Sequence, residues 1–288
     1  MTFDPPKRIV DEPAWMIRRA ARNAMKGRMP LLIGSAAAFI LCLGLPVVVV
    51  EQIMGLWDIL EKMTEGYAAL LADPTYEAVN EWVTAWSDKV AVSPATFIFL
   101  IVAPGPLTLG LSTVWLHVLR GKEAFADMVF SGFGNFLRVV LMDTLRRVLM
   151  MLFAILFIIP GVVIYYRYSL VFFLLADNPT MKPFEALMYS RYYMRQNKGN
   201  RFALDFSFIG WLALSFLAQY LLCQLAFALM FAFGKDTTLF SEQLIFMILG
   251  SFAFAPLCAY RGVAAAEYYH RVICRNPKDE NARLTLTE

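Results

Sequence analysis

The residue with most chemistry to offer is Arg167, alone in the apolar stretch from Ile158 to Asp177, Ile-Ile-Pro-Gly-Val-Val-Ile-Tyr-Tyr-Arg-Tyr-Ser-Leu-Val-Phe-Phe-Leu-Leu-Ala-Asp. A charge at bilayer depth costs roughly 2.5–3.5 kcal/mol on insertion scales, so it must turn to the protein interior and find a partner. Carbonyls near Pro104 and the hydroxyls of Tyr165 and Tyr166 are its candidate acceptors. Arg167 then reads as structural glue, as a contact to an anion or lipid phosphate, or as a transport gate. As glue, Arg167→Ala is expected to lower thermal stability in detergent. Asp205 and Arg261 lie about one turn inside the same boundary on consecutive apolar runs, placed for an ion pair. Pro104-Gly105 and Pro160-Gly161 interrupt two other runs, freeing carbonyls that the bilayer tolerates only where protein or water satisfies them. These seven residues form the candidate intramembrane polar site.

The remaining chemistry is sparse. His117 and His270 lack the paired spacing of metal ligands, and Cys42, Cys223, Cys258 and Cys274 stand singly, so neither a metal nor a disulfide is expected. No nucleophile elbow, phosphate-binding glycine loop, dinucleotide fingerprint or paired-carboxylate motif occurs. Neither enzymatic activity nor a cofactor is expected.

The elements that must hold these residues are membrane helices. Of 288 residues 59% are hydrophobic and 17% charged, where soluble domains carry roughly 25% charged residues, and the mean hydropathy is +0.56. Residues 1–30 hold 7 basic and 3 acidic side chains, whereas residues 51–93 hold 2 and 8. By the positive-inside rule the chain starts in the cytoplasm. No cleavable signal is visible, because Lys7 and Arg8 precede no early apolar run.

Residues 1–30 form a cytoplasmic amphipathic segment. Its helix, over 11–27, is capped by Asp11, has Pro13 in its first turn and is closed by Gly27. Trp15, Met16, Ile17, Ala20 and Ala24 fall near one side and Arg18, Arg19, Arg22 and Lys26 on the other, suiting an anionic leaflet; a plain juxtamembrane basic segment reads equally well. One membrane domain follows over 31–270. Its segments are 31–50, 95–119, a pair turning at Pro160-Gly161 over 148–176, 202–230 and 244–266. The Pro-Gly hairpin, crossing fully or re-entrant, is required by charge: without it, Lys182, Arg191, Arg195, Lys198 and Arg201 would face outward. The acidic stretch 51–93 predicts two extracytoplasmic amphipathic helices, the second restarting at Asp73-Pro74 and running to Val90, with Trp57, Trp82 and Trp86 at headgroup depth. The stretch 177–201 predicts a cytoplasmic basic helix, with Arg191 and Arg195 as further lipid contacts, and 271–288 a cytoplasmic tail. The fold expected is therefore all-α: a polytopic transmembrane helix bundle of about six segments, both termini cytoplasmic.

Several stretches carry a resemblance. They are Arg-x-x-Ala-Arg-x-x-x-Lys-Gly from Arg18 to Gly27, Gly105-Pro106 with Gly110, and Pro160-Gly161 followed by Arg167-Tyr168. Then come Ala176-Asp177-Asn178-Pro179, Glu185-Ala186-Leu187, Ser190-Arg191, Phe208-Ile209-Gly210-Trp211 and Ala265-Ala266-Glu267-Tyr268-Tyr269. In these the chain resembles the bacterial integral membrane proteins of domain-of-unknown-function family 975, and more distantly the membrane domain of some glycerophosphodiester phosphodiesterases. Lys182 stands where that family tends to place a small capping hydroxyl. The resemblance implies a multi-helix membrane fold and supplies no activity.

The function expected is a non-enzymatic module of the bacterial inner membrane that binds lipid, chiefly anionic, or a protein partner or second copy, as an envelope scaffold or accessory subunit. The rival is a transporter or channel for a small anionic or amphiphilic solute, since interrupted helices mark transport sites. The basic helix between two crossings favours lipid over nucleic acid as its partner.

Overall fold

The computed structural model describes residues 8–72, 75–86, 93–234 and 238–273. The Asp73-Pro74 restart, Val90, the turn with Lys235 and Asp236, and the tail beyond Ile273 lie outside the described residues. Those described are helical or in turns, with thirteen α-helices and no strand among them. Five helical stretches are long and apolar enough to cross a membrane: Met29–Ile53, Pro94–Leu119, Ile158–Asp177, Lys198–Ala232 and Leu239–Ile273. Their exposed side chains, such as Leu214, Phe216, Tyr220 and Leu225, are largely apolar, as a helix facing hydrocarbon requires.

Helix α1 (Ala14–Met25) begins at the N-cap Pro13, and Asp11 makes no cap. Ile17, Ala21 and Met25, spaced by one turn, are buried against α13 (Leu239–Ile273). The amphipathic helix is thus present with a different inner face: Trp15 and Met16 point away from the protein. Gly27, at φ +76°, turns the chain into α2 (Met29–Ile53), a conformation open to a residue without Cβ. The two outer helices are α3 (Leu56–Ala72) and α4 (Tyr76–Trp86), joined by the Trp82 indole donating to the Met63 carbonyl at 3.3 Å.

The next crossing is jointed. Helices α5 (Pro94–Val102) and α6 (Pro104–Leu119) meet at Ala103, which stays helical at φ −72°, ψ −38°. Pro104 therefore bends the crossing without ending it. A 3-10 helix over Ala126–Asn135 packs tightly on α6; Gly110 and Gly132 leave no room for a side chain where the two backbones touch.

The predicted hairpin is formed by α7 (Phe136–Leu156) and α8 (Ile158–Arg167), but its corner lies at Phe157 rather than at Pro160-Gly161. Phe157 alone is extended, at φ −159°, ψ 143°. Pro160 sits in the first turn of α8, where its missing N–H is no loss. Gly161 lets the arms meet: a Cβ there would lie 2.8 Å from Ala154 Cα. α7 begins earlier than the apolar run and carries four charges, Arg138, Asp143, Arg146 and Arg147.

After α9 (Val171–Asp177), the basic stretch forms two helices, α10 (Pro183–Tyr193) and α11 (Lys198–Phe206), because Asn197 is drawn into the core. Buried, it accepts from Val10 N at 3.0 Å and donates to the Arg8 and Tyr193 carbonyls at 3.0 and 2.8 Å. At the start of α10, the Lys182 N–H donates to Glu185 at 3.2 Å, while a lysine side chain accepts nothing, so half a capping box forms. Helix α12 (Ile209–Ala232) has α13 as its main neighbour.

Helix α13 is the central post. At 35 residues and 1.5 Å per residue it measures about 52 Å, well beyond the ~30 Å hydrocarbon core. Its small residues Gly262, Ala264, Ala265 and Ala266 are buried and let α1, α2 and α6 approach closely. Arg8 N donates to Val272 O at 3.1 Å, so the first and last described residues share one end of the bundle. At the other end Ser93 N donates to Glu51 at 3.2 Å.

Candidate functional site

Two arginine-carboxylate clusters join the helices, each around a buried carboxylate, with Arg261 of the second exposed at 45%. In the first, spacing on one helix does the work: Asp143, Arg146 and Arg147 stand at i, i+3 and i+4 on α7 and share a face. Asp143 is fully buried beside Gly105. It accepts from Arg146 Nε at 3.1 Å and Nη2 at 2.7 Å, and from Arg147 Nη2. Arg147 also donates to the Leu100 carbonyl at 2.8 Å. That carbonyl would bond the amide of residue 104 in an unbroken helix, and residue 104 is a proline with no N–H. The freed carbonyl near Pro104 thus has an arginine donor, Arg147 rather than Arg167.

The second cluster centres on Asp205 of α11. Arg261 Nε of α13 donates to Asp205 Oδ1 at 3.0 Å, and Arg201, one turn before Asp205, approaches the same oxygen at 3.4 Å. Arg261 Nη2 reaches the Tyr165 hydroxyl at 3.4 Å. Arg201 is 7% exposed and lies over the Tyr268 ring, 5.6 Å from its centroid. Its Nε and Nη1 are buried without an acceptor among the described residues.

Both clusters open onto one cleft of about 760 Å³. Arg146, Tyr165, Arg201 and Arg261 line it toward the end where the described ends of the chain meet; Leu212, Phe246, Met247 and Phe254 of α12 and α13 line the rest together with the polar Gln219, Gln243 and Ser251. Leu212 and Phe246 are exposed on the bilayer-facing surface. The Trp115 ring also lines the cleft, and its Nε1 is buried without an acceptor among the described residues.

Arg167 stands elsewhere. It ends α8 half-buried, with no side-chain hydrogen bond or ion pair among the described residues, and is not part of the cleft lining. Only its carbonyl is engaged, by Ser190 Oγ at 3.0 Å. Of the seven predicted site residues, the fold brings together Asp205 with Arg261; Pro104 and Gly105 adjoin Asp143 and Arg147 instead, and Pro160 and Gly161 belong to the hairpin corner. Arg146, Arg147 and Arg201 lie in mixed or basic sequence, where no isolated charge singles them out; the carboxylate three or four positions away is the available signal.

Among the predicted lipid contacts, Arg19, Arg22, Lys26, Arg191 and Arg195 are exposed. Arg18 is not free to meet lipid: it donates to Ser207 O at 2.9 Å and to the Tyr260 hydroxyl at 3.3 Å, and stacks on Phe208. It staples α1 to the α11–α12 joint and α13. Asp177 and Glu267 are both engaged. Asp177 accepts from Arg120 and, at 2.8 Å, from the Tyr269 hydroxyl; Glu267 accepts from Arg271 at 2.7 Å.

No curated protein and no solved structure matches the chain. Residues 148–276, from the second half of α7 through α13 and holding Arg201, Asp205 and Arg261, match the model of the family described as "Protein of unknown function (DUF975)", the family that the sequence motifs resemble.

Proposed function

We propose that this chain is a non-enzymatic integral protein of a bacterial cytoplasmic membrane that binds an anionic lipid, as an envelope scaffold or accessory module. The cleft carries the reading: arginines at one end, a lining along the rest in which aliphatic and aromatic side chains stand among Gln219, Gln243 and Ser251, and a rim of exposed apolar side chains suit a molecule with an anionic head and an apolar tail. The exposed Arg19, Arg22, Lys26, Arg191 and Arg195 add attraction to an anionic leaflet, worth about 1 kcal/mol per basic residue near the surface. Purification in mild detergent followed by native mass spectrometry tests it: retained anionic lipid is expected, and its absence after extraction from anionic membranes refutes the reading.

A second reading, a carrier for an amphiphilic anion, draws on the depth of the cleft, whose lining on α13 runs from Gln243 to Ala265, and on the jointed crossing at Ala103. Saturable flux of an amphiphilic anion into proteoliposomes would replace the scaffold with the carrier.

A further inference from the structure

We propose that the arginine end of the cleft is a phosphate oxyanion site, with Arg201 as its principal ligand and Trp115 Nε1 as a second donor. This deepens the lipid-binding reading and rests on it only for the source of the phosphate.

The donor inventory points to the ligand class. Arg201 is more than nine-tenths buried, and its Nε and Nη1 have no acceptor among the described residues. Trp115, on a different helix and lining the same cleft, likewise has an unmatched buried N–H. A guanidinium and an indole donate and accept nothing; Asp205 Oδ2, also buried without a partner among the described residues, can answer at most part of that inventory, and the remaining donors call for a ligand that accepts. The charge balance agrees. Asp205 is one negative charge shared by two arginines, and Asp143 another shared by two, leaving the two clusters with an excess of two positive charges. In a low-dielectric surrounding an uncompensated cation is costly. An oxyanion with several oxygens answers both the charge and the unmatched donors, and phosphate, one of the two groups that the arginine fork matches, offers more oxygens than a carboxylate. Asp205 holds Arg201 from one side by Nη2 at 3.4 Å, leaving Nε and Nη1 for the ligand, so Asp205 is a positioning residue.

The test uses the full chain in dodecylmaltoside micelles and reads thermal stability against three titrants: phosphatidic acid, phosphatidylcholine and inorganic phosphate. Wild type should be stabilised by phosphatidic acid and not by phosphatidylcholine. In Arg201→Gln, whose Asp205–Arg261 pair remains, the apparent affinity for phosphatidic acid should fall about tenfold or more, the loss of charge-assisted hydrogen bonds. Trp115→Phe keeps an aromatic ring, though a smaller one, and drops the donor, so it should lose affinity while the chain still folds. Stabilisation by inorganic phosphate that Arg201→Gln abolishes identifies the free ion as the source; stabilisation by phosphatidic acid alone identifies the lipid. If phosphatidic acid stabilises wild type and both variants equally, the lipid reading stands and the Arg201 site is wrong. If no phosphate-bearing titrant stabilises wild type, the site is overturned, and retained lipid by mass spectrometry separately decides the lipid reading.

Discussion

Replacing Asp143 by Asn removes the one negative charge between two guanidiniums at the level of Gly105. The wild-type cluster of Asp143, Arg146 and Arg147 sums to +1; the variant sums to +2 within one helical turn. Breaking a buried ion pair from one side costs about 3–5 kcal/mol. The Arg146 and Arg147 side chains keep 19% and 28% of their exposure against 1% for Asp143, and Asn retains one acceptor oxygen, so the lower end, about 3 kcal/mol, applies here. Arg147→Met should cost about 1–3 kcal/mol, because the Leu100 carbonyl at the Pro104 joint loses its donor. The double variant returns to +1, so its loss should fall short of the sum by at least about 1 kcal/mol. Equilibrium unfolding by sodium dodecyl sulfate in mixed micelles reads all three. Additivity within about 0.5 kcal/mol would show that Asp143 and Arg147 act independently and refute the cluster as the device that satisfies the joint.

Gly110→Ala should destabilise strongly, at or above the usual 1–3 kcal/mol of overpacking, because its methyl would overlap the Val129 backbone carbonyl. Gly34→Ala, with nothing within 4 Å in the second turn of α2, should be neutral or stabilising by about 0.5–1 kcal/mol; thermal unfolding in detergent compares them, and equal losses would contradict the packing of the 3-10 helix on α6. Arg167→Ala should leave the melting temperature within about 2 °C of wild type, since the side chain has no partner among the described residues. A large drop would reinstate it as interior glue. Cysteines replacing Lys182 and Lys198 in a cysteine-free background should react with impermeant maleimide only from the cytoplasmic side; labelling from outside would undo the hairpin topology.

The crossings were legible because crossing a bilayer demands little beyond length and apolarity, which 31–50, 202–230 and 244–266 show plainly. The hairpin was legible from charge alone, as Lys182, Arg191 and Arg195 must share a side with Arg19 and Arg22. Its corner was misplaced by three residues because proline punctuates sequence more loudly than structure: Pro160 is welcome in a first turn, and Phe157, with no mark in the sequence, makes the bend. Asn197 could not be foreseen as a break in the basic helix, because its partners, Arg8 and Val10, are about 190 positions away.

The functional residues were harder to read for a reason the arginines make explicit. An arginine in apolar sequence attracts notice because its cost is visible, yet Arg167 sits half-buried at a helix end. Arg146, Arg147 and Arg201 escape notice because the sequence carries their neutralisation within one turn, at Asp143 and Asp205, and so looks like ordinary polar surface. Charge counts along the chain therefore add two populations. Arg19, Arg22, Arg191 and Arg195 stay exposed, whereas Arg18, Arg28, Arg120, Arg147 and Arg201 are engaged by carbonyls or carboxylates of neighbouring elements or of their own helix. The two are separable in the laboratory: under the lipid-binding proposal, neutralising the first should weaken attraction to an anionic leaflet in a salt-sensitive way, while neutralising the second should lower stability at any ionic strength.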